Sequence, residues 1–271
     1  VGHEITRLRR RLSKLDASMS ERRRQRSRSG ALTVGLAGYT NVGKSSLFNA
    51  LSGKAVLIRD QVFSTLETTV GRMENKPRIL MVDTIGFIDN VPAELLDSFS
   101  ATLQESLSCD MLLLLVDASD EPEEIRRKLA TSSREVSGRV KAGSSPNTIV
   151  VLTKTDLCTA EQLQEAKEIV HYYSPFEAIP VSVISGGGIE ELRSAILTQL
   201  HGPPVQVNII HPEETSEIEL AALVARVHRD ALVIDIEVEK ELTKIYGWID
   251  IASRSRLTKE FPTQINITKK S

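Results

Sequence analysis

Short apolar runs alternate with amphipathic stretches through the first 200 residues of this 271-residue chain. The apolar runs predict buried strands, and apolar residues three or four positions apart predict helices. The predicted strands lie at 32–37, 70–74, 79–83, 111–117, 148–153 and 178–182. The predicted helices lie at 44–52, 93–107, 122–140, 160–172 and 189–200. This alternation predicts an α/β fold with a doubly wound, mostly parallel sheet whose ligand-binding loops follow the carboxyl ends of the strands.

Both ends of the chain depart from this alternation. Near the start, one apolar seam repeats at intervals of three and four residues, at Ile5, Leu8, Leu12, Leu15 and Met19. Because a single seam needs a partner helix, we interpret it as the second arm of a helical hairpin. After Pro203 and Pro204 the pattern predicts a small β-α-β-β-α appendage, with Tyr246 and Trp248 expected in its core rather than stacked on nucleic acid bases. The predicted domains are therefore a helical arm at 1–30, an α/β domain at 31–202 and a small α+β domain at 203–271.

The formal net charge of −2 conceals a strong asymmetry. Residues 1–30 hold ten basic and three acidic side chains, a net charge of +7, whereas the remainder holds 24 basic and 33 acidic side chains, a net charge of −9. An arginine-rich helix face of this kind is typical of a surface that binds RNA phosphates. The alternative is a solvated basic face with no partner.

The composition favours a globular protein of the cytoplasm. With 41% apolar residues, the chain can bury a full core and one further small domain. The longest apolar run, Met111 to Val116, is far too short to span a membrane. Cys109 and Cys158 lack metal-ligand spacing, which indicates a reducing compartment. Since the first residue is Val1 rather than Met, we expect the chain to be a fragment that lacks an N-terminal part.

A phosphate-binding loop is predicted between the first strand and the first helix. Residues 38–45 read Gly-x-x-x-x-Gly-Lys-Ser, in the strand–loop–helix context that this motif requires. The two glycines allow successive amides to point at phosphates, Lys44 supplies a positive charge, and the Ser45 hydroxyl is placed to hold Mg²⁺. The predicted nucleotide contacts in this segment are Gly38, Tyr39, Thr40, Asn41, Val42, Gly43, Lys44, Ser45 and Ser46.

Two later strands end in residues suited to reading a guanine base. Thr-Lys-x-Asp follows the fifth strand, and the Asp156 carboxylate can accept hydrogen bonds from guanine N1–H and its amino group, which adenine lacks on that edge. The stem of Lys154 can lie along the purine face, and the segment after the sixth strand can offer an amide to guanine O6. The residues concerned are Thr153, Lys154, Thr155, Asp156, Ser182, Val183 and Ile184. The sequence thus predicts GTP or GDP as the ligand.

Candidate catalytic residues lie between these two segments. Asp83-x-x-Gly86 follows an apolar strand, so Asp83 would reach Mg²⁺ through water and the Gly86 amide would contact the γ-phosphate. A threonine from 54–69 should supply a further Mg²⁺ ligand, and Thr65, Thr68 and Thr69 compete. Thr65 is favoured because it lies 21 residues after Lys44 and 18 before Asp83.

One position bears on the mechanism. Phe87 follows the Asp-x-x-Gly segment where many small GTPases carry a glutamine that orients water, so intrinsic hydrolysis should be slow. Asn41 is a candidate for holding K⁺ beside the phosphates, which would neutralise developing charge. The alternative is that Asn41 only favours a positive φ in the loop. Together with Lys44, Thr65 and Gly86, Asn41 completes the predicted catalytic set.

These segments resemble the HflX family of ribosome-associated GTPases. The resemblance lies in GYTNVGKSSLFNAL, in VFSTLE, and in DTIGFIDNVPAELLDSFSATLQES followed by DMLLLLVDAS, and it is dense from about 32 to 200. It implies Mg²⁺ contacts at Ser45 and Thr65. Besides the phosphate loop and the base-reading residues, it implies nucleotide contacts along two whole segments, namely Phe63, Ser64, Thr65, Leu66 and Glu67, and Asp83, Thr84, Ile85 and Gly86. Thr153 stands where asparagine is commoner and Val183 where alanine is commoner, and neither removes a guanine-reading group.

The resemblance implies a monomeric GTP hydrolase with partners on the ribosome. A helical domain precedes the nucleotide domain in this family, in agreement with the seam at 1–30. The expected function is binding of the large ribosomal subunit and its rRNA, with the GTP state coupled to ribosome dissociation or recycling. One alternative is a potassium-activated GTPase of ribosome assembly or RNA modification, and another is a signalling switch with a protein partner.

Overall fold

The structure, a computed structural model, describes residues 31–52, 69–75, 77–83, 109–139, 147–173, 178–212 and 215–269. The described residues form two compact units. The first contains those up to Glu190 except 74–79, and the second contains 74–79 and those from Glu191 onward. The predicted arm at 1–30 and the predicted helix at 93–107 lie outside the described residues, and the predicted domain boundaries stay predictions.

The first part of the chain forms a six-stranded sheet, and helices connect several of its strands along the sequence. The strands are β1 (Leu32–Gly38), β2 (Thr69–Asn75), β3 (Arg78–Asp83), β4 (Met111–Asp117), β5 (Asn147–Thr153) and β6 (Ala178–Pro180), in the order β2-β3-β1-β4-β5-β6. The helices are α1 (Lys44–Ser52), α2 (Pro122–Arg139), α3 (Ala160–Tyr173) and α4 (Ile189–His201). β1, β4, β5 and β6 pair in parallel. The predicted mostly parallel α/β fold is confirmed.

The hydrophobic pattern of the central strands follows from this architecture. All seven residues of β4 are buried, as expected for a parallel strand covered on both faces. Leu112, Leu114 and Val116 form one core cluster with residues of α2 and α3, namely Ile125, Leu129, Ala166, Ile169 and Val170. Because β1, β4 and β5 run parallel, their carboxyl ends at Gly38, Asp117 and Thr153 share one edge of the sheet.

The C-terminal part contains an antiparallel sheet of four strands. Its elements are β7 (Val205–Ile210), α5 (Glu217–Asp230), β8 (Ala231–Val238), β9 (Leu242–Ile249), α6 (Ile251–Glu260) and β10 (Ile265–Lys269). The strand order is β10-β7-β9-β8. Inward side chains of all four strands, among them Val207 and Ile245, form a core with Leu223 and Val227 of α5 and Leu257 of α6. This α+β unit agrees with the predicted fold class.

Two details of this unit differ from the prediction. The order of elements is β-α-β-β-α-β, because β10 follows the last helix and pairs with β7, with Ile265 opposite Ile209. The sequence pattern predicts the last helix near 254–261, whereas helix α6 begins three residues earlier, since the Asp250 carboxylate accepts a hydrogen bond from the Ser253 amide at 2.8 Å and caps it.

The two aromatic residues of β9 lie in different surroundings. Trp248 is buried, and its indole N–H donates to the carbonyl of Gly202 at 3.1 Å. Tyr246 is half-buried, and its hydroxyl donates to Glu237 at 3.1 Å. The expectation of a core position is therefore met by Trp248 and only partly by Tyr246.

Within the described ranges, no helix has the length and apolar content needed to cross a membrane. Among the same residues, no group of three or more His, Cys, Asp or Glu side chains could hold a metal ion. Cys109 is buried and Cys158 is half-buried, and neither forms a disulfide.

Candidate nucleotide-binding site

The predicted phosphate loop turns sharply between β1 and α1. Gly38 has a φ of +153°, and a Cβ added there would lie 2.7 Å from the backbone oxygen of Leu115, so only glycine fits. Asn41 and Gly43 have φ values of 63° and 93°. The amide of Leu47 donates to Gly43 O at 2.9 Å as the helix begins. A curled backbone followed by a helix N-terminus is suited to bind an anion.

Lys44 lies against this loop. Its Nζ donates to the carbonyl of Gly38 at 3.1 Å and to that of Tyr39 at 2.7 Å. Burial lowers the pKa of the Lys44 ammonium, and the charge of Asp83 offsets part of the shift. The loop thus holds a partly desolvated positive charge, whose attraction for phosphate oxygens is stronger than it would be in open solvent.

Two of the three residues expected at Mg²⁺, Ser45 and Asp83, meet at the start of α1. Ser45 Oγ donates to Asp83 Oδ2 at 3.2 Å, although the two residues are 38 positions apart. A hydroxyl and a carboxylate are hard oxygen donors, and Mg²⁺ usually takes few protein ligands and completes its shell with water and phosphate oxygens. The residues present therefore fit Mg²⁺. The other predicted contacts of this region, Phe63, Ser64, Thr65, Leu66, Glu67, Thr84, Ile85 and Gly86, lie outside the described residues, as does Phe87.

The predicted base-reading segments meet at the carboxyl edge of β5 and β6. Lys154 adopts a left-handed conformation with φ 58° and ψ 34°, and a 3-10 turn follows at Thr155–Leu157. Asp156 is exposed, and its Oδ1 accepts a hydrogen bond of 2.5 Å from the hydroxyl of buried Ser182. Ser182 Oγ also accepts from the amide of Ser185 at 3.1 Å. Val183 and Ile184 are exposed beside this pair.

Thr153 connects the base-reading segment to the phosphate loop. Its buried hydroxyl lies 2.8 Å from the carbonyl of Val42 and 3.1 Å from that of Val116. A buried hydrogen bond of this kind is costly to remove because a carbonyl would lose its partner. The Thr153 hydroxyl therefore joins the base-reading segment to the phosphate loop.

One residue that the sequence reasoning missed lies between the two loops. Asp117, at the end of β4, accepts a hydrogen bond of 2.5 Å from Lys154 Nζ on Oδ2. Burial alone would raise the pKa of the Asp117 carboxyl, but hydrogen bonds from Lys154 and Ser119 outweigh it and hold that pKa below its usual value. The sequence feature that could have indicated Asp117 is a carboxylate directly after a fully apolar strand, since the ligand-binding loops of such a sheet follow the carboxyl ends of its strands.

Two cations from α2 lie near the ring of Tyr39 in the phosphate loop. The Arg127 guanidinium lies 5.5 Å and the Lys128 ammonium 5.7 Å from the centroid of the Tyr39 ring. Tyr39 is only 5% exposed. Cation–π contacts at this range add to the packing that fixes the loop.

Comparison with known proteins agrees with this geometry. A family model described as "50S ribosome-binding GTPase" matches residues 33–154. The GTPase HflX of Akkermansia muciniphila is 34% identical over 237 residues, which is 87% of this chain and 52% of the relative. The GTPase HflX of Methanocaldococcus jannaschii is 40% identical over 174 residues, which is 64% of this chain and 42% of the relative. The chain thus spans about half the length of these curated relatives.

A solved structure shares the fold. A GTP-binding protein from Sulfolobus solfataricus, crystallised with GDP, superposes with a TM-score of 0.51 at 28% identity, over 73% of this chain and 61% of that one. The loops described above lie where this fold binds its nucleotide, at the carboxyl edge of the sheet. With two relatives of one name at 34% and 40% identity, the chain belongs to the HflX family of GTPases.

Proposed function

We propose that the protein hydrolyses GTP to GDP and phosphate, and that it binds the large ribosomal subunit and couples the state of its nucleotide to ribosome dissociation or recycling. The observation that carries the nucleotide part is the Asp156 carboxylate, held by Ser182 at 2.5 Å on the same edge of the sheet as the phosphate loop. The hydrogen bond from Thr153 to Val42 fixes these two halves of the site relative to each other.

The base half of this site discriminates by hydrogen-bond donors. Guanine offers N1–H and an amino group to one carboxylate, so Asp156 can accept both. Adenine presents no such pair of donors, and the carboxylate would lose its hydration without compensation. Since the Ser182 hydroxyl already donates a hydrogen bond to Oδ1, the orientation of the Asp156 carboxylate is set before the base binds.

The phosphate half supports hydrolysis by position and charge. Lys44 and the amides of the loop would bind the β- and γ-phosphates, and Ser45 with Asp83 would hold Mg²⁺. Bound Mg²⁺ supplies positive charge that stabilises the phosphate oxygens. Thr65 and Gly86 stay predicted contacts of Mg²⁺ and the γ-phosphate. Because Phe87 cannot hydrogen-bond water, the isolated protein should turn over slowly until a partner helps to position the water.

The ribosomal part of the proposal is supported by charge and by relatives. The matching family model is described as ribosome-binding, and residues 1–30 carry a net charge of +7 that can meet rRNA phosphates. The acidic remainder, with a net charge of −9, would otherwise be repelled by rRNA. We therefore assign the rRNA contact to the basic arm.

Replacing Arg22, Arg23 and Arg24 with Ala should weaken association with large ribosomal subunits. The loss should flatten the salt dependence by roughly one unit of log–log slope for each phosphate contact removed. Co-sedimentation with the subunits and a non-hydrolysable GTP analogue across a salt series measures both effects. GDP affinity is the control, because these arginines lie outside every nucleotide motif. Equal pelleting of variant and parent at all salt concentrations would contradict the assignment.

Asn41 favours a second candidate, a potassium-activated GTPase of ribosome assembly or RNA modification. Asn41 is exposed in the phosphate loop and has a φ of 63°, which suits either a cation ligand or a backbone requirement. If its amide holds K⁺, hydrolysis should be faster in potassium than in sodium at equal ionic strength. Asn41→Ala and Asn41→Gly should both abolish this difference, whereas a purely backbone role predicts that Asn41→Gly retains it. Equal rates of the parent in both salts would exclude the cation.

A further inference from the structure

The carboxylate of Asp117 is surrounded by donors from two different segments. Asp117 is 8% exposed at the end of β4, and its Oδ1 accepts hydrogen bonds from the amide of Ser119 at 3.0 Å and from its hydroxyl at 2.6 Å. Its Oδ2 accepts the 2.5 Å bond from Lys154 Nζ. Ser119 therefore fixes the orientation of the carboxylate, and the remaining oxygen faces the lysine.

Lys154 is bound at both ends. Its backbone is fixed in the left-handed conformation between β5 and the 3-10 turn, next to Thr153, which is anchored to the phosphate loop. Its ammonium is fixed by Asp117. A lysine side chain has four flexible carbon atoms and loses much rotamer entropy when it is held in one place. With both ends held, the stem has little of that freedom left before any ligand binds.

The two carboxylates of the turn after β4, Asp117 and Asp120, pair with different lysines. Asp120, three residues after Asp117, pairs with Lys128 of α2 at 2.7 Å. The contact between Asp117 and Lys154 is thus a specific link between the ends of β4 and β5, and not part of a shared cluster of charges around α2.

We infer that Asp117 is a positioning residue of the guanine site, which holds the Lys154 ammonium so that the lysine stem lies ready against the face of the purine. Asp117 acts through Lys154 and touches no reacting atom. The inference rests on the proposed binding of GTP and GDP at this site. It adds a residue outside the Thr-Lys-x-Asp segment to the groups that determine guanine nucleotide affinity.

The test is a double-mutant cycle on GDP affinity. Asp117→Asn removes the charge at nearly constant shape, and Lys154→Met keeps an unbranched stem without the ammonium. The matched control is Asp120→Asn, the same chemical change in the same turn at a carboxylate that pairs with Lys128. Isothermal titration with GDP and Mg²⁺ gives the dissociation constants, and thermal unfolding of each variant reports whether it is folded.

We expect Asp117→Asn to weaken GDP binding about ten-fold, because the stem must then be ordered on binding. In the Lys154→Met background the same change should alter GDP affinity less than about two-fold, since its target is gone. Asp120→Asn should stay within about two-fold of the parent. In turnover, Asp117→Asn should raise KM and leave kcat nearly unchanged.

Two results would overturn the inference. The first is that Asp117→Asn binds GDP as tightly as the parent does. The second is that Asp117→Asn lowers GDP affinity by the same factor in the parent and in the Lys154→Met background. If Asp117→Asn does not fold, Asp117→Glu takes its place in the cycle, because it keeps the charge and displaces the carboxylate. A parent protein that binds no GDP would refute the proposed function itself, whereas a parent that binds GDP with either result above would refute only the role of Asp117.

Discussion

Asp156→Asn should lower GTP affinity about a thousand-fold and give the protein measurable affinity for XTP. The asparagine amide cannot accept both guanine donors, and two hydrogen bonds to a charged group are worth about 4 kcal/mol together. Xanthine carries a 2-oxo group in place of the amino group, so an amide N–H can donate to it. Ser182 can still donate to the side-chain oxygen of Asn, which keeps the residue in place.

Competitive titration with GTP, XTP and ATP measures this change of specificity. Asp120→Asn again serves as the matched control, because it converts a carboxylate to an amide away from the base-reading segments. Unchanged GTP affinity in Asp156→Asn would remove this carboxylate from the base site. A loss for all three nucleotides without any gain for XTP would indicate a general distortion of the loop.

Gly188→Ala should destabilise the fold by roughly 3 kcal/mol or more. Gly188 has a φ of +75°, and a Cβ there would lie 1.9 Å from the backbone oxygen of Pro180 at the end of β6. The backbone must shift to relieve such an overlap, and strain of this kind is among the causes of large mutational effects. The displaced segment leads directly into Ser182, so GDP affinity should fall as well.

Gly186→Ala provides the matched control for that substitution. Gly186 has nearly the same φ, +78°, but a Cβ there would meet no atom within 4 Å. Gly186→Ala should lower the free energy of unfolding by only about 1 kcal/mol, because alanine disfavours this positive φ but meets no steric overlap. Urea unfolding of both variants gives the two free energies. Equal destabilisation by Gly186→Ala and Gly188→Ala would show that the contact with Pro180 is relieved without cost.

The parallel sheet could be predicted because its strands are buried on both faces. Met111 to Val116 carries an unbroken apolar run, and such runs between helical stretches leave few other architectures. The phosphate loop could also be predicted from the sequence, because phosphate binding requires glycines and a lysine at a fixed spacing.

The features that were missed depend on contacts distant in sequence. β10 has only five residues, and its pairing with β7, about 60 positions earlier, is what makes it a strand. The bond from Thr153 to Val42 spans 111 positions, and the pair of Asp117 with Lys154 spans 37. The residues around each of these side chains give no indication of the distant residue that it contacts. From the sequence, a side chain at the end of a strand could therefore be given a candidate role but not a hydrogen-bond partner.

The central claim is that this site selects a guanine nucleotide, and titration of the purified chain with GDP and ADP in Mg²⁺ tests it most directly. The carboxylate at Asp156 and the loop around Lys44 predict that GDP binds at least about a thousand-fold more tightly than ADP. Similar affinities for GDP and ADP, or binding of neither, would contradict the account.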